Sequence, residues 1–415
     1  MPAHRRALVL LIACLLLLSG CALPGQSPQI IVVDPLAGRP IPDPTNTDQP
    51  IPPTPTAVTF QLKPSSTPLP TGTPFAVSTP VFGYGPSNFP AGINPLTGLQ
   101  VADPNLLERR PMAIKVTNYP RSVRPQWGLT RADNVYEYYL ENEITRFIAV
   151  FYGNNAERVG PVRSGRFFDE NIVRMYKSIF VFASADPRVL DPWLESDLKN
   201  FLVIERPDNC PPLCRIGSKY NYNTLYTDTQ KLSQFITDRG TDNAPQDLSG
   251  FRFEPTTPYS LMRGIRLFVN YSFTDYNRWE YNPDTGRYLR FSEDADEAGG
   301  KRSYQPLKDS LTGEQISADN LVVLLIPHEY FVHTKTTEMV KMKFLGRGQA
   351  YAFRDGQAYP VVWERTTQES LLSLLTQDGR PYPFKPGNVW FQVIGSSSAV
   401  TQLPDESWQF DFKIP

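Results

Sequence analysis

Of the 41 prolines in this chain, 17 fall between Ala22 and Gly92. Proline fixes φ and has no backbone N–H, so neither a helix nor a sheet can propagate through such a stretch, and polyproline II becomes the default. Thr-Pro recurs at Thr54-Pro55, Thr67-Pro68, Thr73-Pro74 and Thr79-Pro80, among serine, glutamine and few charges. Residues 21–92 therefore read as a disordered tether. At about 3.1 Å per residue it would reach about 220 Å when fully extended, enough to carry a domain through a cell wall. Short apolar patches at Ile30 to Val33 and Val58 to Leu62 allow brief strand contacts. Thr-Pro stalks of this kind are also possible O-glycosylation sites.

The residues before the tether say why one is needed. Arg5 and Arg6 precede an unbroken apolar run from Ala7 to Leu18. That run is too short for the roughly 20 residues that span a bilayer, but suits the h-region of a signal peptide. It ends in Leu18-Ser19-Gly20-Cys21, the order of a bacterial lipobox. Residues 1–20 read as a lipoprotein signal peptide, and Cys21 as the new N-terminus carrying fatty acyl chains such as palmitate. The competing reading is an ordinary secretory signal that happens to contain a cysteine. Two or more acyl chains give stable attachment, so the expected address is extracytoplasmic, lipid-anchored to the cell membrane.

Charge excludes one class of partner. Lysine plus arginine number 41 against 42 acidic residues, and 39 against 42 once Arg5 and Arg6 are removed. Such a chain lacks the positive field that non-specific nucleic-acid binding requires. Neither a cofactor nor a metal is expected. No P-loop, dinucleotide fingerprint or Gly-x-Ser-x-Gly elbow occurs. His328-Glu329 followed by His333 is one residue too long for a zincin pair, and on a strand the two rings would face opposite ways. Ser196-Asp197-Leu198-Lys199, Asp319-Asn320 and Lys335-Thr336-Thr337 only imitate penicillin-binding-protein order. Cys210 and Cys214 form a close pair that, outside the cytoplasm, favours a disulfide over free thiols or a metal site.

The remainder reads as α+β: a mixed domain over 93–243 and a β-dominated domain over 244–415. Met112 to Val116 predicts a strand, and Val135 to Leu140 with Thr145 to Tyr152 a hairpin pair. Phe168, Ile172, Met175 and Tyr176 have helical spacing, followed by a strand at Ser178 to Ala183. Asp228 to Arg239 predicts a second helix stopped by Gly240. Thereafter strands dominate, among them Trp279 to Tyr281 and Tyr288 to Phe291 around the turn 282–286.

One polar segment interleaves with this strand pattern: Asn118, Arg124, Gln126, Asp133, Glu137, Glu141, Arg146, Arg163, Ser164 and Arg166. If extended, Glu137 and Glu141 share a face about 13 Å apart, too far for a glycosidase pair. The arginines offer forked donors to a carboxylate or phosphate ligand, or else form a buried network with carboxylates that fixes strand register. Arg146, inside an apolar strand, reads as structural. Arg163 and Arg166, after a Gly-Pro turn at a helix entrance, read as facing a ligand.

In this segment Arg124-Pro125-Gln126, Val135-Tyr136-Glu137, Ile144-Thr145-Arg146-Phe147 and Gly160-Pro161-Val162-Arg163-Ser164 resemble the YerB-like bacterial lipoprotein family. So do Asn94-Pro95-Leu96-Thr97-Gly98 before it and, more faintly, Asp309 with Thr312-Gly313, Asn320 to Val323 and Gly387 to Val393. The family is a domain of unknown function, number 3048, with N- and C-terminal parts. The resemblance implies a three-layer sandwich of two β-sheets and helices, and envelope lipoproteins of unestablished activity. Two departures stand out: Asn142-Glu143 where the family carries two glycines, and Tyr222 where it carries a histidine. Tyrosine cannot act as a general base near neutral pH. A tethered binding or scaffold module for an anionic or wall-derived ligand or a protein partner is therefore expected. The alternative is a hydrolase or transferase acting on envelope polymer through Asp133, Glu137 or Glu141.

Overall fold

The computed structural model describes residues 83–218 and 220–415. The signal peptide, Cys21 and the tether as far as residue 82 lie outside the described residues. Packing against the body begins before Ile93, where the change in composition placed it. Tyr84 bridges Phe253, and the Phe89 ring meets that of Phe253.

The first half contributes β1 (Met112–Thr117), β2 (Asn134–Glu141), β3 (Ile144–Phe151), α1 (Phe167–Tyr176), β4 (Ile179–Phe182), α2 (Pro187–Glu195), β5 (Leu202–Ile204), β6 (Leu213–Arg215), β7 (Leu225–Thr227) and α3 (Thr229–Asp238). The predicted helices are present, and their apolar stripes are what they bury: Phe168, Ile172, Met175 and Tyr176 on α1, Leu232 and Ile236 on α3. Asp228 caps α3 by accepting from the Gln230 and Lys231 amides at 2.9 and 3.0 Å. The sequence reading missed α2, whose Pro192 looks like a breaker. It starts from Asp186, which caps the Arg188 amide, with Pro187 at the first helical position, where proline lacks nothing it needs.

The second half is built of strands: β8 (Arg266–Asn270), β9 (Tyr276–Asn282), β10 (Arg287–Glu293), β11 (Tyr304–Pro306), β12 (Asn320–Ile326), β13 (Gly346–Arg354), β14 (Gln357–Arg365), β15 (Ser373–Leu375), β16 (Val389–Gly395), β17 (Ala399–Gln402) and β18 (Ser407–Asp411). Strands from both halves share one 11-stranded sheet, ten of them in the order β15-β14-β13-β12-β16-β2-β3-β1-β4-β5, with the short strand Met262–Arg263 pairing β14 off this path. The seam is parallel, Asn134 opposite Val389 through to Tyr138 opposite Val393. Strands β12, β16 and β2 at its centre are buried on both faces, as a parallel core covered on each side demands. A 7-stranded sheet, β11-β10-β9-β8-β18-β17 with the short strand Ser317–Ala318 pairing β10, covers one face. Between the sheets the Trp390 ring lies 5.2 Å from both Phe147 and Trp279. On the opposite face Tyr136 and Tyr138 meet Tyr176 and Phe168 of α1. The result is an α+β, β-dominated three-layer sandwich.

Between β2 and β3, Asn142 and Glu143 have φ of 51° and 64°. This left-handed region favours glycine, and two residues with side chains occupy it here. His328 is buried and His333 exposed; the register shift between Tyr330 and Val332 brings both to one face of the hairpin strand, where the His333 ring stacks on Tyr330, which corrects the expected opposite faces.

Candidate functional site

Of the polar segment, Glu141, Arg146, Arg163, Ser164 and Arg166 gather at the carboxyl ends of the parallel strands β1 and β4. Residues 160–163 are wedged there. The Arg163 amide donates to Lys115 O at 3.0 Å, and the Ala183 amide donates to Arg163 O at 3.0 Å. Carboxyl ends of this kind are where open α/β sheets leave a crevice for ligands. Arg166 then caps α1, its amide donating to Asp169 Oδ2 at 2.8 Å. Ser164 sits on the rim with its hydroxyl 3.1 Å from that of Ser184.

Three guanidinium groups meet here and are treated unequally. Arg166 is forked onto Glu141, with Nε donating to Oε2 at 2.7 Å and NH2 donating to Oε1. Burial opposes its charge, but Glu141 outweighs that and holds the Arg166 pKa above its ordinary value. Arg146, on β3, is only 6% exposed. Its NH1 donates to Ser164 O at 2.9 Å, and its buried Nε has no partner. Burial first, then the like charges of Arg166 and Arg163, bring its pKa down to about 9. Arg163 is half-buried, and among the described residues its side chain makes no hydrogen bond or ion pair; its Nε is also buried without a partner. Burial, Arg166 and Arg215 lower its pKa. Against the expected division, only Arg166 is placed otherwise, held by Glu141, while Arg146 is buried with one donor on the Ser164 carbonyl. Arg166 is spent on a carboxylate, and Arg146 is a buried charge without one.

Behind Arg146 lies a group the sequence reading missed. Lys115 on β1 is fully buried, its Nζ 3.0 Å from Asp169 Oδ1, with the Tyr138 hydroxyl bonded to both. Burial brings Lys115 down to about 7, against the pull of Asp169. The signal was legible: a lysine in the middle of the apolar run Met112 to Val116.

The three candidate acids do not come together. Register slips between Tyr139 and Glu141, and this bulge turns Glu141 to the helix side, where it meets Arg166. The expected shared face for Glu137 and Glu141 is corrected accordingly, because an extra residue in one strand inverts the alternation beyond it. Glu137 points into the layer between the sheets. Asp133 latches the start of β2, accepting from the Tyr152 and Gly153 amides at 2.5 and 3.1 Å and from Asn94 Nδ2 at 2.8 Å. Burial raises its pKa to about 6.

Asn118, Arg124 and Gln126 lie with Glu137, away from the arginine cluster. Arg290 of β10 is forked onto Glu137 at 2.7 and 3.0 Å, among the rings of Trp279, Trp390 and Phe147. Thr145 Oγ1 and Gln392 Nε2 complete the carboxylate's shell at 3.1 and 2.9 Å. Arg124 spends its donors on Asn118 and Glu293, and Gln126 Nε2 donates to Thr117 O. Nearby Asp275 accepts from the Thr145 amide and hydroxyl at 2.6 and 2.9 Å. Burial, with Glu293 and Glu137 close by, raises its pKa to about 8. This network joins first-half to second-half strands. Its second-half members escaped the sequence reading, although Arg290 falls on the same strand phase as Tyr288, which is buried.

Cys210 and Cys214 form a disulfide with Cα atoms 4.9 Å apart. Among the described residues no group of three or more His, Cys, Asp or Glu is arranged to hold a metal ion.

Residues 96–242 match the model described as the N-terminal domain of a protein of unknown function, DUF3048, and residues 267–391 match its C-terminal domain. The chain belongs to the DUF3048 family. It is 26% identical over 310 residues to “Putative lipoprotein YerB” of Bacillus subtilis (strain 168), covering 74% of this chain and 87% of that protein. The crystal structure of the Bacillus subtilis YerB protein superposes with a TM-score of 0.58 at 24% identity, over 72% of this chain and 96% of that one. That likeness speaks for the fold. The YerB-like resemblance read from the polar segment is therefore borne out, and the family is one without an assigned activity.

Proposed function

We propose that this protein is a lipid-anchored, extracytoplasmic binding module that holds an anionic ligand at Arg146 and Arg163, with Arg166 and Ser164 shaping the site. One observation carries the reading: a nearly fully buried guanidinium and a half-buried neighbour, both without a carboxylate, at the carboxyl ends of parallel strands. A charge buried without a partner costs several kcal/mol, and a bound anion would remove that cost. The separation of Asp133, Glu137 and Glu141 favours binding over hydrolysis. The lipobox ending in Cys21 and the name of the Bacillus relative support the address.

The test is thermal melting of the full chain with inorganic pyrophosphate or citrate. A ligand at a hundredfold excess over its Kd adds about 2.7 kcal/mol to stability. We expect both anions to raise the melting temperature of the wild type and neither to raise that of Arg163→Gln. No shift in the wild type would defeat the reading.

A further inference from the structure

The chain enters the described body at Gly83, and its point of entry is fixed. The Phe253 amide donates to Tyr84 O at 2.7 Å. A Cβ on Gly83 would fall 2.0 Å from Phe253 O, so the backbone there is pressed against Phe253. Directly after Phe253, residues 254–261 form a loop tied to the body along its length. Arg354 donates from NH1 to Glu254 O at 2.8 Å and from NH2 to Pro255 O at 3.2 Å. Thr257 Oγ1 donates to Asp355 Oδ2 at 2.8 Å, the Tyr359 hydroxyl to Pro258 O at 2.6 Å, and Ser260 Oγ to Ala358 O at 2.7 Å. Met262 then pairs with Ala358 of β14. Between these ties stand Tyr259 and Leu261, 84% and 86% exposed, more than any other large apolar side chain among the described residues. A loop held this closely cannot fold them away from water without breaking its bonds. Single exposed apolar residues are ordinary, but here two are held out together beside the point where the chain leaves for its N-terminal anchor.

Charge narrows what covers them. Arg252 and Arg263 flank the loop, and each has its own carboxylate, Glu254 at 3.3 Å and Glu406 at 3.6 Å. The flanks are thus neutral and offer a polyanion no unpaired cation. We infer that Tyr259 and Leu261 sit in the headgroup layer of the membrane that holds the Cys21 anchor. The inference rests on the anchor reading and is independent of the arginine site. Tyrosine suits that layer because its ring is apolar while its hydroxyl stays wet, and leucine reaches the acyl boundary. Two side chains bury too little area to bring a free protein to a bilayer, so the contact depends on the anchor to raise the local concentration. It orients the body. The strands β1 and β4, which carry the arginine cluster, lie six and seven places from β14 in the large sheet, which keeps the cluster clear of the lipid.

The experiment uses the acylated full chain in phosphatidylcholine vesicles, with the fluorophore NBD on Thr256→Cys, an exposed position on the same loop. With Cys21 acylated and Cys210 joined to Cys214, the added thiol is the one open to the label. The control label is on Lys199→Cys, just before β5, eight strands from β14 or roughly 38 Å at 4.8 Å per strand. Lipids bearing a shallow nitroxide should at least halve the emission at Thr256→Cys and leave that at Lys199→Cys unchanged. Adding phosphatidylglycerol or salt should alter neither, because the flanking charges are paired. Tyr259→Ser with Leu261→Ser should abolish the quenching while the chain still floats with the vesicles. Both side chains are exposed, so this variant should melt with the wild type. If the wild type floats but the loop label is not quenched, if both labels are quenched equally, or if quenching survives the double substitution, the membrane contact is refuted and the anchor stands. A Thr256→Cys signal that changes with protein concentration before lipid is added assigns the loop to a second copy and also refutes it. If the wild type does not float, the anchor reading fails and the inference with it.

Discussion

Arg146 allows stability and binding to be driven in opposite directions by one substitution. Its pKa falls from 12.5 to about 9 in the folded chain. At about 1.36 kcal/mol per pH unit, that is a penalty of roughly 5 kcal/mol for carrying the charge at neutral pH. Arg146→Met removes the charge, keeps most of the apolar stem, and loses one hydrogen bond to Ser164 O, worth about 1 kcal/mol. We expect the variant to be more stable by about 1–3 kcal/mol, within the range seen when buried charges give way to apolar groups. Roughly 330 ordered residues at about 2.1 cal/mol/K each give a melting entropy near 0.7 kcal/mol/K. The expected rise in melting temperature is therefore about 1–4 °C, with loss of any stabilisation by pyrophosphate. Arg290→Met is the control. It strands the Glu137 carboxylate between the sheets and should cost about 3–5 kcal/mol, a fall of about 4–7 °C. Calorimetric melts of both variants at pH 7 check the pair. If Arg146→Met falls as far as Arg290→Met, Arg146 is a structural member of the sheet and the binding argument loses its main support.

Three further outcomes follow from particular positions. Asp275 has its folded pKa raised to about 8 from 3.8, so the folded state holds its proton where the unfolded state does not, and stability is lost as pH rises from about 4 through 8. Asp275→Asn should flatten that part of the melting-temperature profile measured from pH 5 to 9, and an unchanged slope would assign it elsewhere. Glu143→Gly relieves a left-handed residue at φ 64° and should stabilise by about 1 kcal/mol, read as a higher denaturant midpoint at constant m. Cys21→Ala should abolish incorporation of a fatty-acid analogue, and label surviving in the variant would overturn the lipobox reading.

Much of the fold was legible because burial writes itself into local periodicity. The stripe Phe168, Ile172, Met175 and Tyr176 gave α1, and the near-continuous apolar runs at Leu321 to Ile326 and Val389 to Ile394 gave strands later found buried on both faces. What periodicity cannot carry is which strand lies beside which. The parallel seam of β2 with β16 joins residues some 250 positions apart, and no local pattern specifies it. The site shows the same division. Its residue types were visible, since Arg146, Arg163 and Arg166 stand out in an apolar segment, but their partners were not. A guanidinium's role is decided by whether a carboxylate reaches it. Here that turned on the register slip after Tyr139: with it, Glu141 meets Arg166, and without it Glu141 would share the Glu137 face and leave three arginines unpaired. The bulge therefore does chemical work. It supplies one carboxylate to three guanidinium groups, enough to fix Arg166 at the entrance to α1 and too little to neutralise Arg146 and Arg163. A structural network would have matched its charges, as the Glu137–Arg290 pair does between the sheets. The mismatch at the carboxyl ends of β1 and β4 is the reason to look there for a ligand.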